Sequence, residues 1–282
     1  MRGISKCAGD VLKDRYEIVD RISHGPMSRI HKAWDRLAHR FVVVKMAFPR
    51  GGDDTDIERL RREGLVLAAL RHPRIPRAFD SAPIAPDGYG IVMDMLDGVS
   101  LEQVFTHMER LPFRHAAVFA AHTLDALEVV HRAGLVHRDV KPGNLMMTPN
   151  GAALIDFGLV TAAPIRRARR LTSPGTAVGT PNYMAPEACL DSPDLDGRAD
   201  LYAVGLVLYR MLTGRRAIVG EYAQEVQRAQ VENLPRPFAL IAPGLDLPKR
   251  LEAAVMRALE KDPRHRYRTA AQMREAILAA AS

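Results

Sequence analysis

Residues 137 to 144 read His-Arg-Asp-Val-Lys-Pro-Gly-Asn. Asp139, Lys141 and Asn144 thus place a carboxylate, an ammonium and an amide close together in the chain. Phosphoryl transfer calls for such groups: a carboxylate beside the incoming hydroxyl, positive charge near the transferring phosphoryl group, and an oxygen donor for a metal. Seventeen residues past Asp139, the apolar run Ala153-Leu154-Ile155 ends in Asp156-Phe157-Gly158. A carboxylate at a strand terminus could hold a Mg2+ that bridges phosphates. Lys45 closes the run Val42-Val43-Val44, and strand alternation puts it on the same face as Val43. Glu63 falls among Leu60, Leu67 and Leu70 on the apolar face of a helical pattern, where an unpaired carboxylate is costly. Lys45 is the partner this implies.

The elements that must position these groups follow from local pattern. Residues 16–22, 28–34 and 40–46 are β-rich runs separated by turn-forming or charged residues. Thr55 and Glu58 fit a capping box, which predicts a helix through about residue 70. Two further strand signals, 75–80 and 89–95, flank a Pro/Gly/Asp turn. From Ser100 the texture becomes helical. An Ala-rich helix is expected over 115–132, with Gly134 as its stop. Residues 201–212 are apolar on every side, as in a helix at the centre of a core. A last helix should begin near Thr269, with Gln272 three residues on.

Composition narrows the class. With 282 residues, 47% apolar and 26% charged, the chain is neither disordered, collagen-like nor a coiled coil. Its longest apolar run, nine residues from 201 to 209, is far short of a membrane span. The N-terminus lacks the apolar core of a signal peptide. Two cysteines, Cys7 and Cys189, cannot build a disulfide framework or a zinc site alone. These features lead us to expect a cytoplasmic protein. The net charge of +7 comes from scattered arginines, without an RNA-binding aromatic signature or a DNA-reading module, so no nucleic-acid partner is expected.

The stretch 137–144, Asp156-Phe157-Gly158, the Lys45/Glu63 pair and Gly179-Thr180-Pro181-Asn182-Tyr183-Met184-Ala185-Pro186-Glu187 occur in the order of the protein-kinase motif set. In these residues the chain resembles the eukaryotic-type kinases, above all the bacterial Hanks-type serine/threonine kinases, from residue 16 to about 280. The resemblance implies a bilobal α+β fold: an N-terminal tail over 1–15, then a kinase domain over 16–282, with a small β-rich N-lobe (16–95) and a larger helical C-lobe (96–282). It implies transfer of the ATP γ-phosphate to Ser/Thr hydroxyls of protein substrates, with ATP and Mg2+ as cofactors. Asp139 and Lys141 would be catalytic, and Asn144 and Asp156 would hold the metal. Lys45 and Glu63 would position the ATP phosphates beneath a loop containing Ser23 and Gly25. Met93 takes the gatekeeper position between the lobes, with backbone groups of Asp94 and Leu96 at the adenine edge. Ile22, Ile30, Val43 and Met146 would enclose the ring. Glu187 would pair with Arg266, and Asp200 would hold the catalytic-loop backbone, cap its helix, or both. Thr172, Ser173 and Thr176 become candidates for autophosphorylation, in a dimer if one copy modifies the other, with Arg138 among the receivers of the phosphate. Thr180 would instead contact Asp139 and Lys141.

Two departures from the family pattern stand out. The phosphate-covering loop is Ser23-His24-Gly25-Pro26-Met27-Ser28, with only the central glycine kept and one amide donor removed by Pro26. Val43 stands where an alanine is usual above the adenine, which narrows the slot. Both predict weaker ATP affinity, and they leave open a pseudokinase-like binding scaffold. A small-molecule phosphotransferase of the same fold is a third reading, disfavoured by the long segment from Asp156 to Glu187, which suits protein substrates.

Overall fold

The computed structural model describes residues 9–25, 28–50, 53–84, 87–162 and 181–282. Pro26, Thr172, Ser173, Thr176 and Thr180, singled out above, lie outside the described residues. The chain divides into two compact units, one ending at Asp97 and the other starting at Gly98.

The first unit is built on an antiparallel six-stranded sheet of β1 (Val11–Leu12), β2 (Tyr16–His24), β3 (Arg29–Asp35), β4 (Arg40–Ala47), β5 (Ala78–Ile84) and β6 (Gly88–Asp94), ordered β1-β2-β3-β4-β6-β5. β1 lies within the stretch expected to be a tail before the domain, and it pairs with the start of β2. Alternation decides the faces. Tyr16, Ile18, Ala33, Val42, Val44, Met46 and Val92 bury one side as a core. The strand expected over 75–80 starts instead at Ala78, after Pro76, whose nitrogen cannot donate to a ladder. The β3–β4 turn is closed by buried Asp35. It accepts both guanidinium bonds of Arg15 at 2.7 Å and the N–H groups of Leu37 and Ala38.

Helix α1 (Thr55–Ala69) has the expected extent, but its start is not a capping box. The cap position is Asp54, which makes no side-chain cap bond. Asp53 does the local work, accepting from the Thr55 N–H and hydroxyl.

The second unit is mostly helical. α2 (Leu101–His107) follows β7 (Val99–Ser100), and α3 (Phe113–Arg132) is the long Ala-rich helix. Gly134 follows α3 with φ of 71°, a left-handed stop that glycine adopts without strain. The short strands β8 (Leu135–Val136), β9 (Leu145–Thr148), β10 (Gly151–Leu154) and β11 (Thr161–Ala162) carry the loops between them. α4 (Pro186–Cys189) precedes α5 (Arg198–Thr213), which is buried along almost its whole length, as its all-round apolar sequence requires. α6 (Ala223–Glu232), α7 (Phe238–Ile241), α8 (Lys249–Ala258) and α9 (Ala270–Ala281) complete it. Thr269 caps α9 by accepting from the Gln272 N–H.

Candidate active site

In the first unit, the sheet face opposite the core carries the residues singled out in the sequence. Ile30, Lys45 and Ile91 stand side by side across β3, β4 and β6, as do Lys32, Val43 and Met93. α1 packs on this face. Gly64 allows the approach, because a Cβ there would meet Ile91 Cγ2 at 2.8 Å. The next residue back, Glu63, takes both carboxylate oxygens to Lys45 Nζ, at 2.8 and 2.7 Å. Lys45 is 8% exposed and Glu63 2%. Pairing spares each buried charge the cost of standing alone, so removing either partner strands the other.

In the second unit, the loop after β8 gathers the other groups. Lys141 Nζ donates to Asp139 Oδ2 at 2.7 Å, and Asn144 Nδ2 donates to the same oxygen at 2.8 Å and to the Asp139 carbonyl at 2.9 Å. Both contacts use Oδ2, so Oδ1 is the carboxylate oxygen they leave for a further partner. The Ile155 N–H donates to the Asn144 carbonyl at 2.9 Å, which ties the turn bearing Asp156 to the end of this loop. Asp156 has φ of 65°, a left-handed conformation uncommon for a residue with a side chain. Phe157, next to it, meets the edge of the buried His137 ring at 4.8 Å between centroids.

Arg138 also has a left-handed backbone, with φ of 69°. Such a conformation persists only where the surroundings over-determine it. Asp200, on the first turn of α5, supplies that constraint. Its carboxylate accepts the N–H groups of His137 and Arg138, each at 2.8 Å, and bonds His131 Nε2 at 2.8 Å. Burial alone would raise its pKa, but the His131 bond and the nearby histidines and backbone donors hold it below the usual carboxylate value. The helix cap is Gly197. Asp200 is therefore a clamp on the loop and does not cap α5.

A family model for the protein kinase domain matches residues 16–277 of this chain. The chain belongs to the protein kinase family. Curated relatives include the serine/threonine-protein kinase PknB of Mycobacterium leprae (strain TN). It is 35% identical over 273 residues, which span 95% of this chain and 43% of that protein. The serine/threonine-protein kinase PknA of Mycobacterium tuberculosis (strain ATCC 25177 / H37Ra) is 35% identical over 285 residues, spanning 98% of this chain and 63% of that protein. The chain therefore spans less than two thirds of either relative. The crystal structure of the M. tuberculosis PknI kinase domain shares the fold, with a TM-score of 0.74 and 24% identity over 99% of this chain and all of that one.

In this chain, Ser23, Ile30, Val43 and Lys45 share one sheet face by register, with Ser23 opposite Ile30. Ile22 falls at a break in the register between Arg21 and Ser23, so pairing assigns it no face, and it is half exposed. Gly25 stands at the β2–β3 turn. Its φ is not left-handed, and its N–H donates to the Ser28 carbonyl at 3.0 Å across the β2–β3 turn. That amide is committed to the hairpin. The Asp94 N–H is likewise taken, by the Arg77 carbonyl at 3.0 Å, while its side chain bonds Arg40 and the Arg77 N–H. Leu96 is half-buried in the loop after β6, and Met146 lies in β9, half-buried.

Among the described residues, no cluster of three or more His, Cys, Asp or Glu could hold a metal. Asn144 uses its amide nitrogen on Asp139, so its oxygen is the atom that could serve a metal, and Asp156 supplies a carboxylate. Two hard oxygen donors suit a Mg2+ that takes its other ligands from phosphates and water.

Glu187 pairs with Arg266, as the resemblance implies. Arg266, 1% exposed, grips Glu187 with two bonds at 2.7 and 2.8 Å. Its other N–H groups go to the carbonyls of Arg198, Glu260 and Lys261, so every guanidinium donor is used. Sequence reasoning missed Gly64, His131 and Gly197. A Cβ on Gly197 would meet the His131 ring at 2.8 Å, so the glycine leaves room for the clamp on Asp200. A histidine in the last turn of a helix reads as a dipole-compensating charge, and the helix gives no sign of its distant partner.

Proposed function

We propose that this protein is an ATP-dependent serine/threonine protein kinase. The observation that carries the reading is the Asp139–Lys141–Asn144 cluster, bonded as a unit on a loop clamped by Asp200. Asp139 Oδ1 accepts the proton of the incoming Ser or Thr hydroxyl, and Lys141 balances the negative charge that develops on the transferring phosphoryl group. Lys45, held by Glu63, orients the nucleotide phosphates. Asn144 and Asp156 hold Mg2+, which would neutralise phosphate charge and align the phosphates. Ile22, Ile30, Val43 and Met146 contact the adenine. Its edge meets the Asp94 carbonyl and the Leu96 backbone. Ser23 and Gly25 lie in the loop over the phosphates, where the engaged Gly25 amide favours modest ATP affinity and not its loss.

Incubation with Mg2+, labelled ATP and a generic basic protein tests the reading. Label should pass to serine and threonine of the acceptor, and an Asp139→Asn chain should transfer it at least about a hundredfold more slowly. Protein that binds Mg·ATP and transfers nothing would point to the scaffold reading. Autophosphorylation belongs to the same proposal, at Thr172, Ser173 or Thr176 and between two copies. Mass spectrometry after incubation with Mg·ATP should find phosphate on at least one of these three.

A further inference from the structure

Pro181 to Glu187 is the described part of the segment that the kinase reading assigns to docking of the protein substrate. Both of its ends are tied to one side chain, Tyr202 on α5. At the Glu187 end the tie runs through Arg266, whose guanidinium lies over the Tyr202 ring, 4.7 Å from its centroid. At the Pro181 end it runs through Gln230 on α6. Gln230 Nε2 donates to the Pro181 carbonyl at 3.2 Å, and its Oε1 accepts from the Tyr202 hydroxyl at 2.8 Å. Lys261 closes the figure, with Nζ donating to the Gln230 carbonyl at 2.7 Å and to the Tyr202 oxygen at 3.0 Å.

Gln230 and Tyr202 are both fully buried. A buried amide and a buried phenol cost free energy unless every polar atom finds a partner. Gln230 bonds at both ends of its amide, and the Tyr202 hydroxyl both donates and accepts. Burial also pushes the Lys261 ammonium down to about 8, the cost of placing it there. Val226 and Ala229 show that the rest of this face of α6 is apolar. A methionine of similar volume would fill the Gln230 position without that polar cost. What the glutamine adds is a fixed place for one carbonyl at the start of the docking segment.

We infer that Gln230, with Tyr202 and Lys261, is a positioning device that sets the Pro181 end of the docking segment and so governs capture of the protein substrate, not the handling of ATP. The docking role rests on the kinase reading, whereas the tie itself does not. Two variants of the full chain separate them. Tyr202→Phe removes one hydroxyl and keeps the ring under Arg266, and Gln230→Met keeps the volume and removes both side-chain bonds. Hydrogen-exchange mass spectrometry reads the tie, through the peptide covering 181–190 against peptides from α5 and α8. Steady-state kinetics with histone as acceptor, and ATP hydrolysis without acceptor, read the function.

Exchange in 181–190 should speed by about threefold to tenfold, the equivalent of about one lost net hydrogen bond, while α5 and α8 stay unchanged. The KM for histone should rise by a similar factor, with the KM for ATP and acceptor-free hydrolysis within about twofold of wild type. Unchanged exchange in both variants overturns the inference. So does a parallel rise in both KM values, which marks general damage. If exchange responds while even the wild-type chain phosphorylates no acceptor, the kinase reading fails and takes the docking role with it, and the tie alone survives.

Discussion

Asp139 and Asp156 are both carboxylates in the second unit, yet their surroundings suit them to the different work proposed for them. Asp139 has one oxygen engaged by Lys141 and Asn144, which suits a base held in a fixed direction. Asp156 sits on a left-handed turn beside Gly158, which suits a ligand presented to a metal. Asp139→Asn should therefore lower kcat by about a hundredfold or more while the Kd for Mg·ATP stays within about threefold. Asp156→Ala should weaken Mg·ATP binding and turnover together. Calorimetric titration beside a transfer assay distinguishes the two. At the altered nucleotide loop, the Ser23 and Val43 side chains share one sheet face. Ser23→Gly with Val43→Ala should lower the KM for ATP with little change in kcat, since these groups touch ground state and transition state alike. An unchanged KM would mean that the hairpin, closed by the Gly25–Ser28 bond, has a working geometry of its own.

Among the elements, α1 shows most clearly how packing serves chemistry. Glu63 reaches Lys45 because Gly64 lets the helix lie close on β6. Gly64→Ala would gain up to about 1 kcal/mol in helix propensity, against roughly 1–3 kcal/mol for overpacking on Ile91. Gly64→Val adds bulk with less propensity gain and should destabilise by about 2–3 kcal/mol in denaturant titration. Its KM for ATP should rise as Glu63 is drawn away from Lys45. The partnership of Lys45 and Glu63 was legible in sequence because a carboxylate on an apolar helix face demands a cation. The extents of α1 and α3 and the burial of α5 were legible from periodicity. The start of α1 was not, because the Thr55 N–H and hydroxyl both donate to Asp53 and the Glu58 N–H goes to the Asp54 carbonyl. Asp200 was read as a clamp or a cap, and only the distant N–H groups of His137 and Arg138 decide between them. His131 and Gln230 make their defining contacts across 69 and 49 residues, a separation that no window of pattern reading spans.

For the whole molecule, each unit buries a histidine whose ring is incompletely bonded. Among the described residues, neither nitrogen of His31 in β3 has a hydrogen-bond partner, nor has Nε2 of His137. Burial lowers the pKa of His31, helped by Arg29, Arg21 and His24 and opposed by Asp20. Burial also lowers that of His137, against the pull of Asp200, Asp139 and Asp156. The folded values lie below the ordinary value near 6.5, so the unfolded chain takes up these protons first. Stability is then full above about pH 6.5 and falls as the pH drops below it, by at most about 1.4 kcal/mol per pH unit for each histidine. Denaturation midpoints between pH 7.5 and 5.5 should show the decline, and His31→Leu should flatten it. A different consequence follows from the reach of Asp200. The N–H groups it accepts lie 63 and 62 residues earlier in the chain. At a synthesis rate of about 5–20 residues per second, the loop leaves the peptidyl-transfer centre roughly 3–13 s before the carboxylate that shapes it exists. Throughout that interval the left-handed turn at Arg138 has no counterpart to hold it, so a nascent chain ending before α5 carries the 137–144 sequence without its folded conformation.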